Sequence, residues 1–181
     1  MPQVKKKKID QRWTLFLDRD GVLNRRIIGG YVTNTSKFEW LPGVLQALHY
    51  LTDRFGKTVV VTNQQGVGKG LMTKKDLDSI HSMMKQKASF AHANIDGIYA
   101  CTGLAEDNPK CRKPNPGMAK KARRDFPKID FEKSVMVGDS QSDIDFGLNL
   151  GMVTVFIGPK KNKSADKTFP NLWEFAQWLG A

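Results

Sequence analysis

The amino-acid sequence predicts an α/β protein with a doubly wound, mainly parallel sheet. Short apolar runs alternate along the chain with segments whose apolar residues recur at helical spacing, and this alternation is typical of β-α-β units. Three of the apolar runs end in polar clusters, which is where open α/β sheets place their ligands. The chain has no internal repeat and no visible domain boundary, so we expect a single domain over residues 12–181.

The predicted strands are short apolar runs bounded by polar residues or glycine. They cover residues 13–17, 58–61, 95–101, 134–137 and 152–157. The run over residues 95–101 is interrupted by Gly97, which weakens its strand signal because glycine has no side chain to pack. The other runs have the length and the buried character of strands in a parallel sheet.

Each predicted helix has a start or a stop signal. Proline is tolerated in the first turn, Ser, Thr, Asn and Asp cap the start, and glycine favours the end. The first predicted helix has Pro42 in its first turn and ends at Gly56, and the second starts at Thr73 with Asp76. The third has Asn115 as N-cap before Pro116, the fourth ends at Gly151, and the fifth starts at Asn171. The second of these helices should extend to about residue 90, the third to about residue 125 and the fourth to residue 150.

Charge and composition limit the class of protein. The 181 residues carry a formal net charge of +11, which suits an anionic substrate but also fits nucleic acid or an anionic surface. Part of this charge lies in residues 1–11, which we expect to form a disordered basic arm. No apolar run resembles a signal peptide or a membrane span. We expect a cytoplasmic protein with reduced cysteines, no membrane partner, and a monomeric or weakly oligomeric state.

The first strand ends in two carboxylates, Asp18 and Asp20, which are followed by Gly21. Residues i and i+2 of an extended segment point to the same side, so both carboxylates should lean toward one place at the sheet edge. Two carboxylates this close repel each other, which is tolerated mainly where a cation lies between them. The alternative is a strand end with a solvated turn, and this segment by itself does not decide between the two.

Further polar clusters follow other strands or precede a helix. They are Thr62 with Asn63, Arg112 with Lys113, and Asp139 with Asp143. Because the carboxyl ends of parallel strands share one edge, these clusters can converge on the first strand. Oxygen ligands select Mg²⁺, while lysine and hydroxyl groups hold phosphate oxygens. The set predicts phosphoryl transfer, in which one aspartate attacks phosphorus and another transfers protons.

Taken in order, these clusters resemble the four motifs of the haloacid dehalogenase (HAD) superfamily. The motifs are Asp18-x-Asp20-Gly-Val, strand-Thr62, Lys113-Pro and Gly138-Asp139-x-x-x-Asp143. Longer segments, such as Asp18-Arg19-Asp20-Gly-Val-Leu-Asn24 and Cys111-Arg112-Lys113-Pro114-x-Pro116-Gly117-Met118, resemble the D-glycero-D-manno-heptose 1,7-bisphosphate phosphatase group. Histidinol-phosphate phosphatases are its close relatives. The resemblance covers roughly residues 12–157 and implies a phosphomonoesterase that acts on a small phosphorylated metabolite, with a heptose or sugar bisphosphate as the best match.

The resemblance implies a role for each matched position. Asp18 would be the nucleophile and Asp20 the general acid and base, while Thr62 and Lys113 would stabilise the transferring phosphoryl group. One Mg²⁺ would bind the Asp18 carboxylate, the backbone carbonyl of Asp20 and Asp139. Asp143 would hold Lys113 or its loop without binding the ion. The positions implied near the rest of the substrate are Asn63, Gln64, Gln65, Arg112 and Ser140.

One loop departs from the pattern of this group. Its zinc loop has the form Cys-x-His followed by Cys-x-Cys-Arg-Lys-Pro, and here only Cys101 and Cys111 match, with Gly103 and Pro109 at the other two positions. Two ligands are too few for a closed structural zinc site, so we expect no zinc. We expect both cysteines to be free thiols, because a disulfide is unusual in the cytosol.

The spacing of the motifs leaves no room for a separate cap domain, which would need about 50 residues or more of its own. Loops 24–34 and 102–111 should close the site instead. Two other functions share part of the pattern: a polynucleotide 3′-phosphatase, for which nucleic acid would be the partner, and a non-catalytic phosphate-binding module. His49, His81 and His92 lack metal-ligand spacing, and we expect them to be surface or core residues.

Overall fold

A parallel sheet forms the centre of the molecule. The structure is a computed structural model and describes residues 9–181. The strand order is β3-β2-β1-β4-β5-β6, and each pairing of neighbours is parallel. The strands are β1 (Thr14–Leu17), β2 (Lys57–Asn63), β3 (Gly97–Cys101), β4 (Ser134–Gly138), β5 (Val153–Ile157) and β6 (Lys167–Phe169). This confirms the predicted fold class, although β6 was not predicted.

Within residues 9–181, five α-helices connect or follow these strands. They are α1 (Val44–Arg54), α2 (Lys74–Phe90), α3 (Gly117–Asp125), α4 (Gln141–Asn149) and α5 (Leu172–Trp178). Thr73 and Asp76 form the predicted capping box at the start of α2. The N-cap of α3 is Pro116 and not Asn115 as predicted, because the side chain of Asn115 donates instead to Asn108 and to the carbonyl of Pro109.

The helices cover both faces of the sheet. Buried residues of α1, α2 and α5 pack on the face that carries Leu15 and Leu17, and buried residues of α3 and α4 pack on the face that carries Phe16. Successive residues of a strand point to opposite faces, and both faces of β1 are buried here. This explains why its sequence is an uninterrupted apolar run.

The direction of the crossovers places a cleft at the carboxyl end of β1. The chain moves from β1 to β2 and β3 on one side, then crosses to β4 and continues to β5 and β6 on the other. Open α/β sheets bind ligands at such a switch point, beyond the carboxyl ends of the strands. The loops that follow β1, β2 and β4 therefore surround one site.

No separate cap domain interrupts the described part of the chain. A short 3₁₀ helix, Thr35–Lys37, is the regular element between β1 and α1, and α2 is the element between β2 and β3. This agrees with the expectation of a capless phosphatase fold. None of the helices within residues 9–181 has the length and hydropathy of a membrane-spanning segment.

The predicted disordered arm covers residues 1–11. Residues 1–8 of it lie outside the described residues. Ile9 is buried and belongs to the core beside β1, and the side chain of Gln11 donates a hydrogen bond to the carbonyl of Asp53. Residues 9–11 are therefore part of the packed structure, because an apolar residue at position 9 can reach the core.

The two cysteines are joined by a disulfide, with their Cα atoms 5.4 Å apart. The expectation of two free thiols is wrong for this structure. Cys101 ends β3, and the loop that follows turns back so that Cys111 lies beside it. The bond fixes the segment immediately before Arg112 and Lys113 to the end of the sheet.

Candidate active site

A buried lysine lies between two buried carboxylates at the centre of the site. Lys113 Nζ lies 2.6 Å from Asp18 Oδ1 and 2.6 Å from Asp143 Oδ1, and it donates to the carbonyl of Val61 at 2.8 Å. Asp18 directly follows β1, and its backbone N–H donates to the carbonyl of Val137 in β4. These contacts fix the Asp18 carboxylate and use all three ammonium protons of Lys113.

Burial and charge shift the pKa values of this group in opposite ways. Burial raises the pKa of Asp18 to about 7; Lys113 works against this rise, and the nearby carboxylates of Asp143 and Asp20 add to it. For Lys113, burial would lower the pKa, but Asp143 and Asp18 outweigh burial and raise it. Lys113 is therefore charged at any physiological pH, and it favours the ionised form of Asp18.

Asp20 is held by three side-chain donors. Its Oδ1 accepts hydrogen bonds from Arg19 Nη2 at 3.0 Å and from Asn24 Nδ2 at 2.9 Å, and its Oδ2 accepts one from Gln64 Nε2 at 2.6 Å. Burial would raise the pKa of Asp20, but the charge of Arg19 and these hydrogen bonds outweigh it and lower the pKa. The carboxylate is thus ionised and oriented, although its charge lies close to that of Asp18.

The loop after β2 supplies a hydroxyl group and ties the lysine loop to the sheet. Thr62 Oγ1 accepts a hydrogen bond from Gln64 Nε2 at 2.8 Å, which leaves the hydroxyl proton of Thr62 available to a ligand. The side chain of Asn63 accepts from the backbone N–H of Lys113 at 3.0 Å and donates to its carbonyl at 3.3 Å. Asn63 therefore positions Lys113.

The end of β4 brings Asp139 to the site. Its carboxylate packs so closely on Gly21 that a Cβ at that position would collide with it. Arg26 Nη2 lies 3.0 Å from Asp139 Oδ1, but the two are not aligned for a hydrogen bond, and this buried oxygen accepts none within residues 9–181. Burial raises the pKa of Asp139 to about 6, against the effect of Arg26.

These oxygen atoms fit a hard divalent cation. Carboxylate oxygens of Asp18, Asp139 and Asp143 lie within 4.8 Å of one another, and oxygen donors of this kind suit Mg²⁺. The buried Oδ1 of Asp139 lacks the hydrogen bond that a buried oxygen normally has. The oxygens of Asp143 already have partners, since Oδ1 pairs with Lys113 and Oδ2 accepts from the backbone N–H and the hydroxyl of Ser140.

A cavity of about 560 Å³ opens above these carboxylates. Its wall includes Arg112, whose Nη1 is buried without a hydrogen-bond partner among the described residues. Gln65 also lies on the wall and joins the two loops expected to close the site: its Nε2 donates to Tyr31 Oη at 2.8 Å, and its Oε1 accepts from the backbone N–H of Ala105 at 3.1 Å. The cavity is of the size that small-molecule sites usually have.

The site residues predicted from the sequence line this cavity, with the exception of Asp139. A carboxylate oxygen of Asp139 lies within 4.8 Å of those of Asp18 and Asp143. Two contacts were missed. Arg26 was not predicted because the loop after β1 gave no signal for the direction of its side chains. Arg19 and His81 were also missed: Arg19 Nη1 lies 3.2 Å from His81 Nε2 on α2, a contact that depends on the position of a helix 62 residues further along the chain.

Known proteins resemble this chain over most of its length. A family model described as HAD-hydrolase-like matches residues 110–172. A D-glycero-alpha-D-manno-heptose-1,7-bisphosphate 7-phosphatase of Mycobacterium bovis is 41% identical over 175 residues, which cover 93% of this chain and 92% of the relative. A D-glycero-beta-D-manno-heptose-1,7-bisphosphate 7-phosphatase of Escherichia coli is 33% identical. That match covers 90% of this chain and 91% of the relative.

A solved structure has the same fold. The D,D-heptose 1,7-bisphosphate phosphatase from B. bronchiseptica, complexed with magnesium and phosphate, superposes with a TM-score of 0.82 at 28% sequence identity. The match covers 92% of this chain and 97% of the other.

Proposed function

Because this chain belongs to the family of the D-glycero-D-manno-heptose-1,7-bisphosphate 7-phosphatases, within the HAD-like hydrolases, we propose that it removes the 7-phosphate of a heptose 1,7-bisphosphate. The chain is a phosphatase of HAD type. The observation that carries the proposal for its chemistry is the buried Asp18 at the end of β1, held 2.6 Å from the ammonium group of Lys113. A buried carboxylate fixed beside a cation is suited to attack phosphorus.

The first step transfers the phosphoryl group to Asp18. A carboxylate oxygen of Asp18 forms a bond to phosphorus while the bond between phosphorus and the sugar oxygen breaks, and Asp20 gives its proton to that leaving oxygen. Asp20 is ionised in the free enzyme, but the dianionic phosphate of the substrate brings negative charge beside it and favours its protonation. The hydroxyl of Thr62 and the charge of Lys113 stabilise the transferring group.

The second step releases inorganic phosphate. Asp20, now ionised, accepts a proton from a water molecule whose oxygen attacks phosphorus, and the bond between phosphorus and Asp18 breaks. Asp18 returns as a carboxylate beside Lys113. One residue can serve as acid and then as base because Asp20 lies next to the leaving oxygen in the first step and next to the attacking water in the second.

We propose that Asp18, the backbone carbonyl of Asp20 and Asp139 hold one Mg²⁺. The buried Oδ1 of Asp139, which accepts no hydrogen bond within residues 9–181 and has only the half-exposed Arg26 beside it, supports this. When bound, the ion offsets the negative charge of the carboxylates and the phosphoryl oxygens. Asp143 supports Lys113 and does not bind the ion, because both of its oxygens already have partners.

The cavity offers contacts to the rest of the substrate. Arg112 presents a buried Nη1 with no partner in the described part of the chain, and a second phosphate would satisfy it. Asn63, Gln64 and Ser140 also line the cavity, and the side chain of each already makes hydrogen bonds within the protein. Arg112 therefore favours a bisphosphate over a monophosphate.

A substrate screen tests this function. Phosphate release is measured with the alpha and beta anomers of D-glycero-D-manno-heptose 1,7-bisphosphate, with heptose 7-phosphate and histidinol phosphate, and with a 3′-phosphorylated oligonucleotide. We expect the highest kcat/KM with one of the bisphosphates and a heptose 1-phosphate product by phosphorus NMR. A higher kcat/KM with the oligonucleotide or with histidinol phosphate would contradict the proposal. Asp18→Asn, which should be inactive, is the control for contaminating phosphatases.

The cellular location and the oligomeric state stay predictions. We propose a monomer or a weak oligomer, and light scattering with size-exclusion chromatography tests this. The cytoplasmic location is tested by cell fractionation.

A further inference from the structure

The residue between the two catalytic aspartates has an unusual environment. Arg19 is fully buried, and it has the largest side chain among the fully buried residues of the described chain. A buried guanidinium group needs partners, because an unpaired charge in the interior is strongly unfavourable. The side chains around Arg19 must therefore supply hydrogen-bond acceptors to its guanidinium group.

Among the described residues, two side chains contact this guanidinium group. Arg19 Nη2 donates to Asp20 Oδ1 at 3.0 Å, and Arg19 Nη1 lies 3.2 Å from His81 Nε2 on α2. The third nitrogen, Nε, is buried and has no hydrogen-bond partner within the described residues. The orientation of the guanidinium thus depends on one contact with the catalytic loop and one with α2.

The second contact fixes the protonation of His81. Arginine carries donors and no acceptor, so Nε2 of His81 must be the acceptor and the proton of a neutral ring must lie on Nδ1. The environment favours this neutral form: burial, followed by the charge of Arg19, lowers the pKa of His81 to about 4. The other charged groups that act on it are Asp78, Asp20 and Lys74.

We propose that His81 is a positioning residue for the proton transfers of this phosphatase. By accepting a hydrogen bond from Arg19 Nη1, it fixes the guanidinium so that Nη2 holds the carboxylate of Asp20 toward the reacting phosphate. The inference rests on the proposed function, in which Asp20 is the general acid and base. Without the imidazole, Arg19 would have two unpaired nitrogens and would turn toward other acceptors, so that only Asn24 and Gln64 would still orient Asp20.

The experiment compares two substitutions of His81 with a control on another helix. His81→Phe removes the acceptor, whereas His81→Gln supplies an amide oxygen in its place. His49→Phe is the control, because His49 is exposed on α1 and its Nδ1 lies 3.0 Å from the carbonyl of His92, outside the site. Steady-state kinetics on the bisphosphate and thermal unfolding are measured for all three variants.

We expect His81→Phe to lower kcat about tenfold, the effect of losing one charge-assisted hydrogen bond, with KM unchanged. His81→Gln should restore kcat to within about twofold of the wild type, since a side-chain amide oxygen is also an acceptor. The control should keep wild-type kinetics. Wild-type kcat in a folded His81→Phe variant, or a loss in His81→Gln as large as that in His81→Phe, would overturn the inference.

Two further measurements separate this inference from the proposed function. If Asp20→Asn keeps wild-type turnover, the role of Asp20 is wrong, and the inference fails with it. If Asp20→Asn is impaired, adding His81→Phe should cause no further loss on an aryl phosphate, since both changes act on one group; independent, multiplying losses would overturn the role of His81 alone. If His81→Phe does not fold, ¹⁵N NMR of the wild-type imidazole tests the contact with Arg19. A proton on Nδ1 supports the contact, and a proton on Nε2 would contradict it.

Discussion

Replacing His81 should change how the stability of the protein depends on pH. The pKa of His81 falls from its usual 6.5 to about 4 in the folded protein, mainly through burial and then through the charge of Arg19. At a pH between these values the unfolded chain takes up a proton on this residue and the folded chain does not. The contribution of His81 to stability is therefore fully present above about pH 6.5 and is lost as the pH falls toward 4.

The size of the effect follows from these two pKa values. At pH 5, proton uptake by the unfolded chain lowers the free energy of unfolding by about 2 kcal/mol, whereas at pH 7 it lowers it by only about 0.2 kcal/mol. Glutamine does not titrate. On going from pH 7 to pH 5, the wild type should therefore lose about 2 kcal/mol more stability than His81→Gln.

Urea unfolding at pH 7 and pH 5 measures this difference. The wild type and His81→Gln are compared at both values, with His49→Gln as the control for loss of an exposed histidine. Parallel changes in the wild type and in His81→Gln would refute the reasoning, because they would mean that His81 takes up its proton in the folded protein as easily as in the unfolded chain.

Three other perturbations test separate parts of the structure. Lys113→Met leaves two buried carboxylates without their cation, so the free energy of unfolding in urea should fall by about 3–5 kcal/mol; an unchanged value would contradict the buried pairing. Arg26→Gln removes the cation beside Asp139, so calorimetry should show Mg²⁺ binding about two- to fivefold more tightly, whereas Arg25→Gln, next to it in sequence, should bind as the wild type does. Cys101→Ser should lower the free energy of unfolding by about 2 kcal/mol in the absence of reductant; dithiothreitol should destabilise the wild type and not the variant, and equal effects on both would exclude a stabilising disulfide.

The sequence was sufficient for the fold class and for the convergence of several polar side chains on one place. Asp18, Thr62 and Asp139 each follow an apolar run, and a parallel sheet brings the carboxyl ends of its strands to one edge. Their convergence is therefore a consequence of strand order and needs no knowledge of the loops. Lys113 precedes a helix and was expected to converge with the strand ends; its role followed from the resemblance to the HAD motifs.

Features that depend on loops and on helix placement could not be predicted in this way. The disulfide forms because the loop between β3 and α3 returns to the end of β3, which two isolated cysteines do not reveal. Arg19 lies between Asp18 and Asp20, and nothing in this segment indicates a contact with His81. Only the position of α2 brings His81 to it. The strand β6 is three residues long, Lys167–Phe169, and starts with a lysine, so it lacks the apolar run that identifies the other strands.

Trapping the covalent intermediate tests the central claim most directly. Asp20→Asn is mixed with p-nitrophenyl phosphate and Mg²⁺, since an aryl leaving group needs no proton from Asp20, and the reaction is quenched with borohydride, which reduces an acyl phosphate to an alcohol. We predict a burst of nitrophenol equal to the enzyme concentration and peptide masses that place homoserine at position 18. Reduction at another residue, or a burst with unmodified Asp18, would contradict the assignment of Asp18 as the nucleophile.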